Sequence, residues 1–399
     1  MSVLPTTNGT NGTPLPKKTN PSIYGPFHNF LRYTAVDLSR CSKIRRDTKK
    51  IESYFRTAIA IIVFVLCALY IFKFFSVKAK ITTIQWAESN FDVCFCAFSI
   101  LSVGCLIYWS YSDAFSLFEE QLQILKNKRI RSLEYLDDYR KFYYKTVVFT
   151  GIFLIFSIVY SFKNMLYSVG VEKNDEETSL STSKWTILDP FVFAHMAILS
   201  VYATYYYNIS NCALVREAEY FNKELKEALE SKQFYTSNGI RSFNLRHLQL
   251  LKVLQLLNRY FGKLAAGGAF ITGFVMFNTT LMNTGFSDQL ALFYKIVLNI
   301  GSIVFTGLLA SILFPPSKIQ NQLEETKNIL MNDEILTTET QPAEIQNAVK
   351  MIIDRVKYSH TKLFVIECIP IGSRTPHLAL FLLPMLGSAF GVWINVLQK

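Results

Sequence analysis

Seven stretches of mainly apolar residues recur along this chain, at 57–77, 90–110, 146–166, 190–210, 264–283, 292–313 and 377–397. A helix needs roughly 20 such residues to cross the hydrocarbon core of a bilayer. In lipid only helices and closed barrels satisfy their own backbone groups. The fold class that follows is an all-α membrane protein with seven transmembrane helices. Composition points the same way. Half of the 399 residues are hydrophobic, with 33 Phe and 21 Tyr, and 18% are charged, against roughly a quarter in soluble domains. The fourth stretch is the most interrupted, with Asp189, Pro190 and His195 at its outer end, and the second carries Asp92 near its entrance.

Orientation is written in the basic residues. Of 41 Lys and Arg, all but eight lie in the segment up to Arg56 and in the connections between spans 2 and 3, 4 and 5, and 6 and 7. The eight are Lys73, Lys78, Lys80, Lys163, Lys173, Lys184, Lys295 and Lys399. Positive charge favours the cytosolic side, so the N-terminus is expected inside and Lys399 outside, an inverted topology. Three sequons bear on this. Asn8-Gly-Thr10 and Asn11-Gly-Thr13 would matter only if the N-terminus were lumenal, and the charge asymmetry outweighs them. Asn278-Thr-Thr280, near the outer end of span five, is the more usable acceptor.

The organisation expected is a cytosolic N-terminal segment (1–54), disordered over 1–22 where Pro, Gly, Asn and Thr dominate. Spans one to six follow in 55–313, with cytosolic helices at 211–262, then a cytosolic helical connection (314–376) and span seven (377–399). The connections are patterned. Leu214, Ala218, Phe221, Leu225 and Ala228 form a heptad stripe. Residues 245–261 read as helix running into span five. Ile345, Val349, Ile352, Val356 and Leu363 form another stripe past Pro342. Each stripe needs a face to bury, so a cytoplasmic helical anchor bundle is expected, the alternative being helices lying on the lipid surface. Pro315-Pro316 is expected to end the sixth span.

No hydrolase, kinase, P-loop or zincin motif occurs, so the chain does not read as an enzyme, and no cofactor is implied. Nucleic-acid binding has no motif behind it. Seven cysteines without a CxxC pair, several inside apolar segments, predict neither a metal site nor a structural disulfide. The last helix is the most informative segment. Ser388, Gly391, Asn395 and Gln398 follow at spacings of 3, 4 and 3 and share one helical face. An uncharged polar stripe is costly against lipid. It either lines a pore, with Leu397 or Ile394 as an apolar constriction, or packs as a small and polar seam inside one bundle. Small residues every fourth position in span five (Ala265, Ala269, Gly273) and span six (Ser302, Thr306, Ala310) read as helix packing.

Aromatic residues recur along spans two to four. Tyr160, Phe193, Tyr202 and Tyr205, with Trp109 deeper, form a candidate pocket for a small organic stimulus, though interface anchoring explains many of them equally well. Glu172, Asp175, Glu176 and Glu177 in the outer 3–4 connection would concentrate cations near a mouth on an oligomeric axis, or simply be solvated.

Seven spans, an inverted topology, long helical 4–5 and 6–7 connections and a chain ending just after span seven together resemble the insect gustatory and odorant receptor superfamily. Its gustatory-receptor-like relatives include the class R serpentine receptors of nematodes. The family's shared motif, Thr-Tyr, five apolar residues and Gln-Phe, matches the window Gly391-Val392, Trp393 to Leu397, Gln398-Lys399. Gln398 is kept, Thr-Tyr and Phe are replaced, and Asn395 interrupts the apolar run. The resemblance implies a tetrameric, ligand-gated cation channel in the cell membrane. The last helix of each subunit would line the pore, with Gln398 and Asn395 facing it, and the ligand would lie among the outer parts of spans two to six. The alternative, a metabotropic seven-helix receptor, lacks DRY-like and NPxxY-like runs here: span three ends Ser161-Phe-Lys-Asn-Met and span seven contains Leu383-Pro-Met-Leu-Gly.

Overall fold

A computed structural model describes residues 23–25, scattered positions between 55 and 71, and then 83–129, 140–168, 189–290, 292–333, 336, 342–358, 364–365 and 369–398. The segment 1–22, most of the first predicted span, the acidic positions 172–177 and Leu363 lie outside the described residues. Among those described, eight α-helices follow one another: α1 (Ile84–Tyr111), α2 (Ala114–Asn127), α3 (Arg140–Ser168), α4 (Asp189–Glu230), α5 (Ser237–Gly285), α6 (Leu292–Met331), α7 (Ala343–Tyr358) and α8 (Thr375–Gln398). A clip of two-residue strands, β1 (Phe364–Val365) and β2 (Ile369–Pro370), pairs antiparallel just before α8. The architecture is otherwise all-α.

Among the described residues four segments are long and apolar enough to cross a bilayer: Trp86–Tyr111, Ser237–Gly285, Tyr294–Met331 and Thr375–Leu397. A shorter apolar stretch, Val147–Tyr160, lies within α3. α4 does not reach that standard because of its hydroxyls and amides, and the structure places them inside. Ser200, Thr204, Ser210 and Asn211 are all buried. Each donates to the carbonyl four residues earlier, at 2.8–2.9 Å. A hydroxyl that donates to its own helix can be buried at little cost, although the Oδ1 atoms of Asn208 and Asn211 are buried with no hydrogen-bond partner among the described residues.

The two prolines do not end the sixth span. α6 runs on through Pro315 and Pro316 to Met331. Pro316 has no N–H to offer the Ile312 carbonyl four residues back. The Tyr207 hydroxyl of α4 donates to that carbonyl instead, at 3.0 Å. The group that proline frees is thus satisfied by a neighbouring helix, as happens in membrane bundles.

Two cores result. The larger joins α1, α3, α4, α5 and α6 along the apolar spans. The smaller joins the C-terminal half of α4, the N-terminal half of α5, the end of α6 and α7. The heptad stripe Leu214, Ala218, Phe221, Leu225 and Ala228 is buried, as are Ile345, Val349, Ile352 and Val356 of α7. Thr236 caps α5, accepting from Gly239 N–H at 3.1 Å. The segment Ile23–Gly25 is pinned between α2 and α4. Ile23 N–H donates to Glu119, the Tyr205 hydroxyl donates to the Tyr24 carbonyl, and the Tyr24 and Ser210 hydroxyls lie 3.0 Å apart. Asn278 is buried within α5, so the sequon it begins is no glycosylation acceptor in the folded chain.

Candidate functional site

Of the five aromatic residues expected to share a pocket, two meet. Tyr160 of α3 and Phe193 of α4 have ring centroids 6.2 Å apart. Phe91 and Phe95 of α1 join them, at 4.8 Å from Tyr160 and 5.1 Å from Phe193. Phe305 of α6 presents itself edge-on to Phe91, Phe153 and Phe156 at 5.6–6.0 Å, the geometry that aromatic quadrupoles favour. Polar groups gather among these rings: Asp92, the Tyr160 hydroxyl, the buried Tyr294 hydroxyl and the nearby Glu88. Asp92, 4% exposed, accepts a hydrogen bond of 2.7 Å from the Tyr160 hydroxyl. An ionisable side chain at membrane depth marks a functional position by default. Here a few convergent polar groups stand inside a closely packed aromatic cluster, the residue types of which small-molecule sites are made.

Trp109, Tyr202 and Tyr205 stand elsewhere. Trp109 donates from Nε1 to the Tyr260 carbonyl at 2.6 Å and packs on Phe261 at 4.7 Å. Tyr205 belongs with Tyr206 and Tyr24, and Tyr202 is buried one turn before it. Helical rise explains the correction. Trp109 lies 17 residues from Asp92 on one straight helix, about 25 Å away. Tyr205 lies 12 residues, about 18 Å, from Phe193. Spacing along α4 alone therefore set Tyr205 apart from Phe193, whereas Trp109 is set apart from Tyr160 only through the Asp92–Tyr160 contact. Asp92 was legible as an intramembrane charge, but its partner was not.

The last helix, α8, lies mainly against α5. A side chain at Gly387 would overlap Thr280 Oγ1, and one at Gly391 would overlap Thr284 Oγ1 and come within 2.9 Å of the Gly285 nitrogen. Gly391 thus belongs to a close intramolecular seam and not to an open polar face, because only a residue without Cβ allows this approach. Ser388 and Asn395, on the flank of that seam, are half-buried. Leu397 is exposed. It lies nine residues from Ser388, about 180° around the helix, so the two cannot line the same passage. The side chain of Gln398 lies outside the described residues.

A family model described as Caenorhabditis protein of unknown function, DUF267, matches residues 23–387. The chain belongs to this family. No curated protein matches this DUF267 chain. Among solved structures it is similar to the insect olfactory receptor OR5 from Machilis hrabei in complex with eugenol. The TM-score is 0.61 and the identity 10%, covering 93% of this chain and 100% of that one. The same receptor in another structure gives a TM-score of 0.56 at 11% identity, over 94% and 99% of the two chains. The DUF267 chain therefore has the fold of an insect olfactory receptor over nearly its whole length.

Its smaller core carries charge. Glu224 of α4 accepts from Arg246 of α5 with both side chains buried, and Arg129 bonds Glu217. His247 is fully buried beside Phe221, and neither ring nitrogen has a hydrogen-bond partner among the described residues. Burial, helped by the nearby Arg355 charge, pushes its pKa down to about 4, so the ring is neutral at physiological pH.

Proposed function

We propose that this protein is a chemosensory receptor subunit of the cell membrane acting as a ligand-gated cation channel. It would cross the bilayer seven times with its N-terminus in the cytosol and assemble as a tetramer around α8. The observation that carries the reading is the state of α8. It is strongly apolar, yet 17% of its span is buried, against 61% for α5. Phe381, Met385, Val392 and Val396 along it are exposed, beside the half-buried Ser388 and Asn395. Four such helices around an axis would cover this surface and bring Ser388, Asn395 and Gln398 towards a passage where their polar groups replace part of an ion's hydration. The similar receptor was solved with eugenol, a small organic molecule, and the packed aromatic cluster around Asp92 and Tyr160 is where a ligand of that chemical kind would insert. A ligand that packs better between these rings in one arrangement of α1, α3, α4 and α6 shifts the population towards it.

The test begins with tags on both ends, stained with and without permeabilisation, followed by current recording from expressing cells. An N-terminal tag seen only after permeabilisation, a C-terminal tag seen on intact cells, and cation currents whose conductance changes in Asn395→Ala or Gln398→Ala are expected. An exposed N-terminus, or currents identical in both variants, would overturn the reading.

A further inference from the structure

At the N-terminal end of α8 the helix separates from α5 and leaves a cavity of about 400 Å³. Its walls are Phe270 and Phe274 of α5, Leu309 and Leu313 of α6, and Ala379 and Leu383 of α8. The size falls in the range of small-ligand pockets. Among the described residues the only polar side chain lining it is that of Thr375, at one end, whose hydroxyl oxygen is engaged by the Gly372 N–H at 3.0 Å. Water gains nothing in such a space, since an apolar void stays dry. Phe270 and Phe274 are both exposed, so the cavity opens sideways out of the bundle.

Its depth follows from the proposed topology, on which this inference rests. Span five leaves the cytosolic side near residue 264, so Phe270 and Phe274 lie about 9–15 Å deeper. That is the depth of the inner leaflet, whose hydrocarbon is about 15 Å thick. At the cytosolic end, immediately before Thr375, stands the exposed Arg374. The N-terminus of the 24-residue α8 adds its partial positive charge there. An apolar slot with cationic groups at one end, set at leaflet depth, matches an amphiphile with an anionic head.

We propose that this groove binds an acyl chain of an anionic phospholipid of the inner leaflet, with Arg374 on the headgroup phosphate. Occupancy would hold the cytosolic end of α8 against α5 and α6 and couple membrane composition to the position of that helix.

The experiment uses full-length protein reconstituted in nanodiscs of phosphatidylcholine and phosphatidylserine with identical acyl chains. After extraction in mild detergent, native mass spectrometry counts the lipids retained. Wild type should retain one phospholipid per chain, enriched in the serine lipid. Ala379→Trp and, from the opposite wall, Ala269→Leu should each lose it, while Leu378→Trp on the exposed face of α8 keeps it. Arg374→Gln should keep a lipid but lose about fivefold in serine-over-choline preference, the effect of one surface charge. Size-exclusion profiles identify any filled variant that fails to fold, and the other then decides. Equal retention in a folded filled variant overturns the site. So does disulfide cross-linking between copies through Phe274→Cys, because a second chain would then occupy the groove. Retention with no headgroup preference overturns the anionic assignment alone, and the tag staining separately reports whether the topology beneath it fails.

Discussion

α4 and α8 are built on opposite plans. α4 carries serines, threonines, tyrosines and asparagines through its length, and nearly all are buried. α8 is almost purely apolar, and most of its surface is open. In water this would be inside out. In a bilayer it is the expected arrangement, because a helix facing lipid must be apolar while one enclosed by other helices need only have its polar groups bonded. Hydropathy in such a chain reports contact with lipid or with a like surface, and says little about burial. The polar helix is held by hydrogen bonds and ion pairs, the apolar one by a narrow glycine seam.

That contrast predicts where each helix breaks. On α4 the largest effect is expected from Glu224→Leu, which leaves Arg246 buried without its carboxylate. Loss of one partner of a buried pair costs about 3–5 kcal/mol, seen as a collapse of folded yield and thermal stability in detergent. Glu224→Leu combined with Arg246→Met should recover most of it, and a double variant as unstable as the single would show that the pair is not what binds α4 to α5. On α8 the vulnerable points are the glycines. Gly391→Leu drives a side chain into Thr284 and the Gly285 backbone and should cost about 3 kcal/mol, the upper part of the overpacking range. Leu386→Met, at an exposed position outside the surface proposed to meet other subunits, should leave the melting temperature unchanged. A smaller loss, about 1–3 kcal/mol for an unsatisfied buried carbonyl, is expected from Tyr207→Phe, which takes away the donor to Ile312 O. If that variant melts like wild type, the continuity of α6 through its two prolines has another cause.

Much of this fold could be read from the sequence, and the failures share a cause. The stripes at 214–228 and 345–356 were legible because their periodicity reports one buried face, and the structure buries those faces. Pro315-Pro316 misled because a proline rule is local, whereas the hydroxyl that satisfies Ile312 comes from a residue 105 positions away. The polar stripe of α8 misled in part for the same reason. Spacing put Gly391 in line with Ser388 and Asn395, but the presence of Thr284 and Gly285 opposite it is a fact about another helix. The aromatic pocket fell apart along the helix axis: rise alone separates Tyr205 from Phe193 on α4, whereas Trp109 is set apart from Tyr160 only once the bundle brings Tyr160 to Asp92. Asp92 was visible only as a charge near the entrance of span two, and its bond to Tyr160 could come only from the assembled bundle.

The smallest effect concerns the polar side of the comparison under acid. His247 has a pKa of about 4 in the folded protein, against roughly 6.5 when unfolded. Between those values the unfolded chain binds a proton that the folded chain refuses, so stability must fall as pH drops from 6.5 towards 4. Above 6.5 the contribution is fully present, and at pH 5.5 about 1 kcal/mol of it should be gone. The facing groups do not soften this, since Arg355 and Arg246 are cations and the nearby Glu224 is already bonded to Arg246. Thermal unfolding at pH 7.5 and 5.5 should therefore show a smaller acid shift in His247→Leu than in wild type. Equal shifts in the two proteins would mean that the acid response arises outside the smaller core, and that its buried histidine is as inert as the leucines around it.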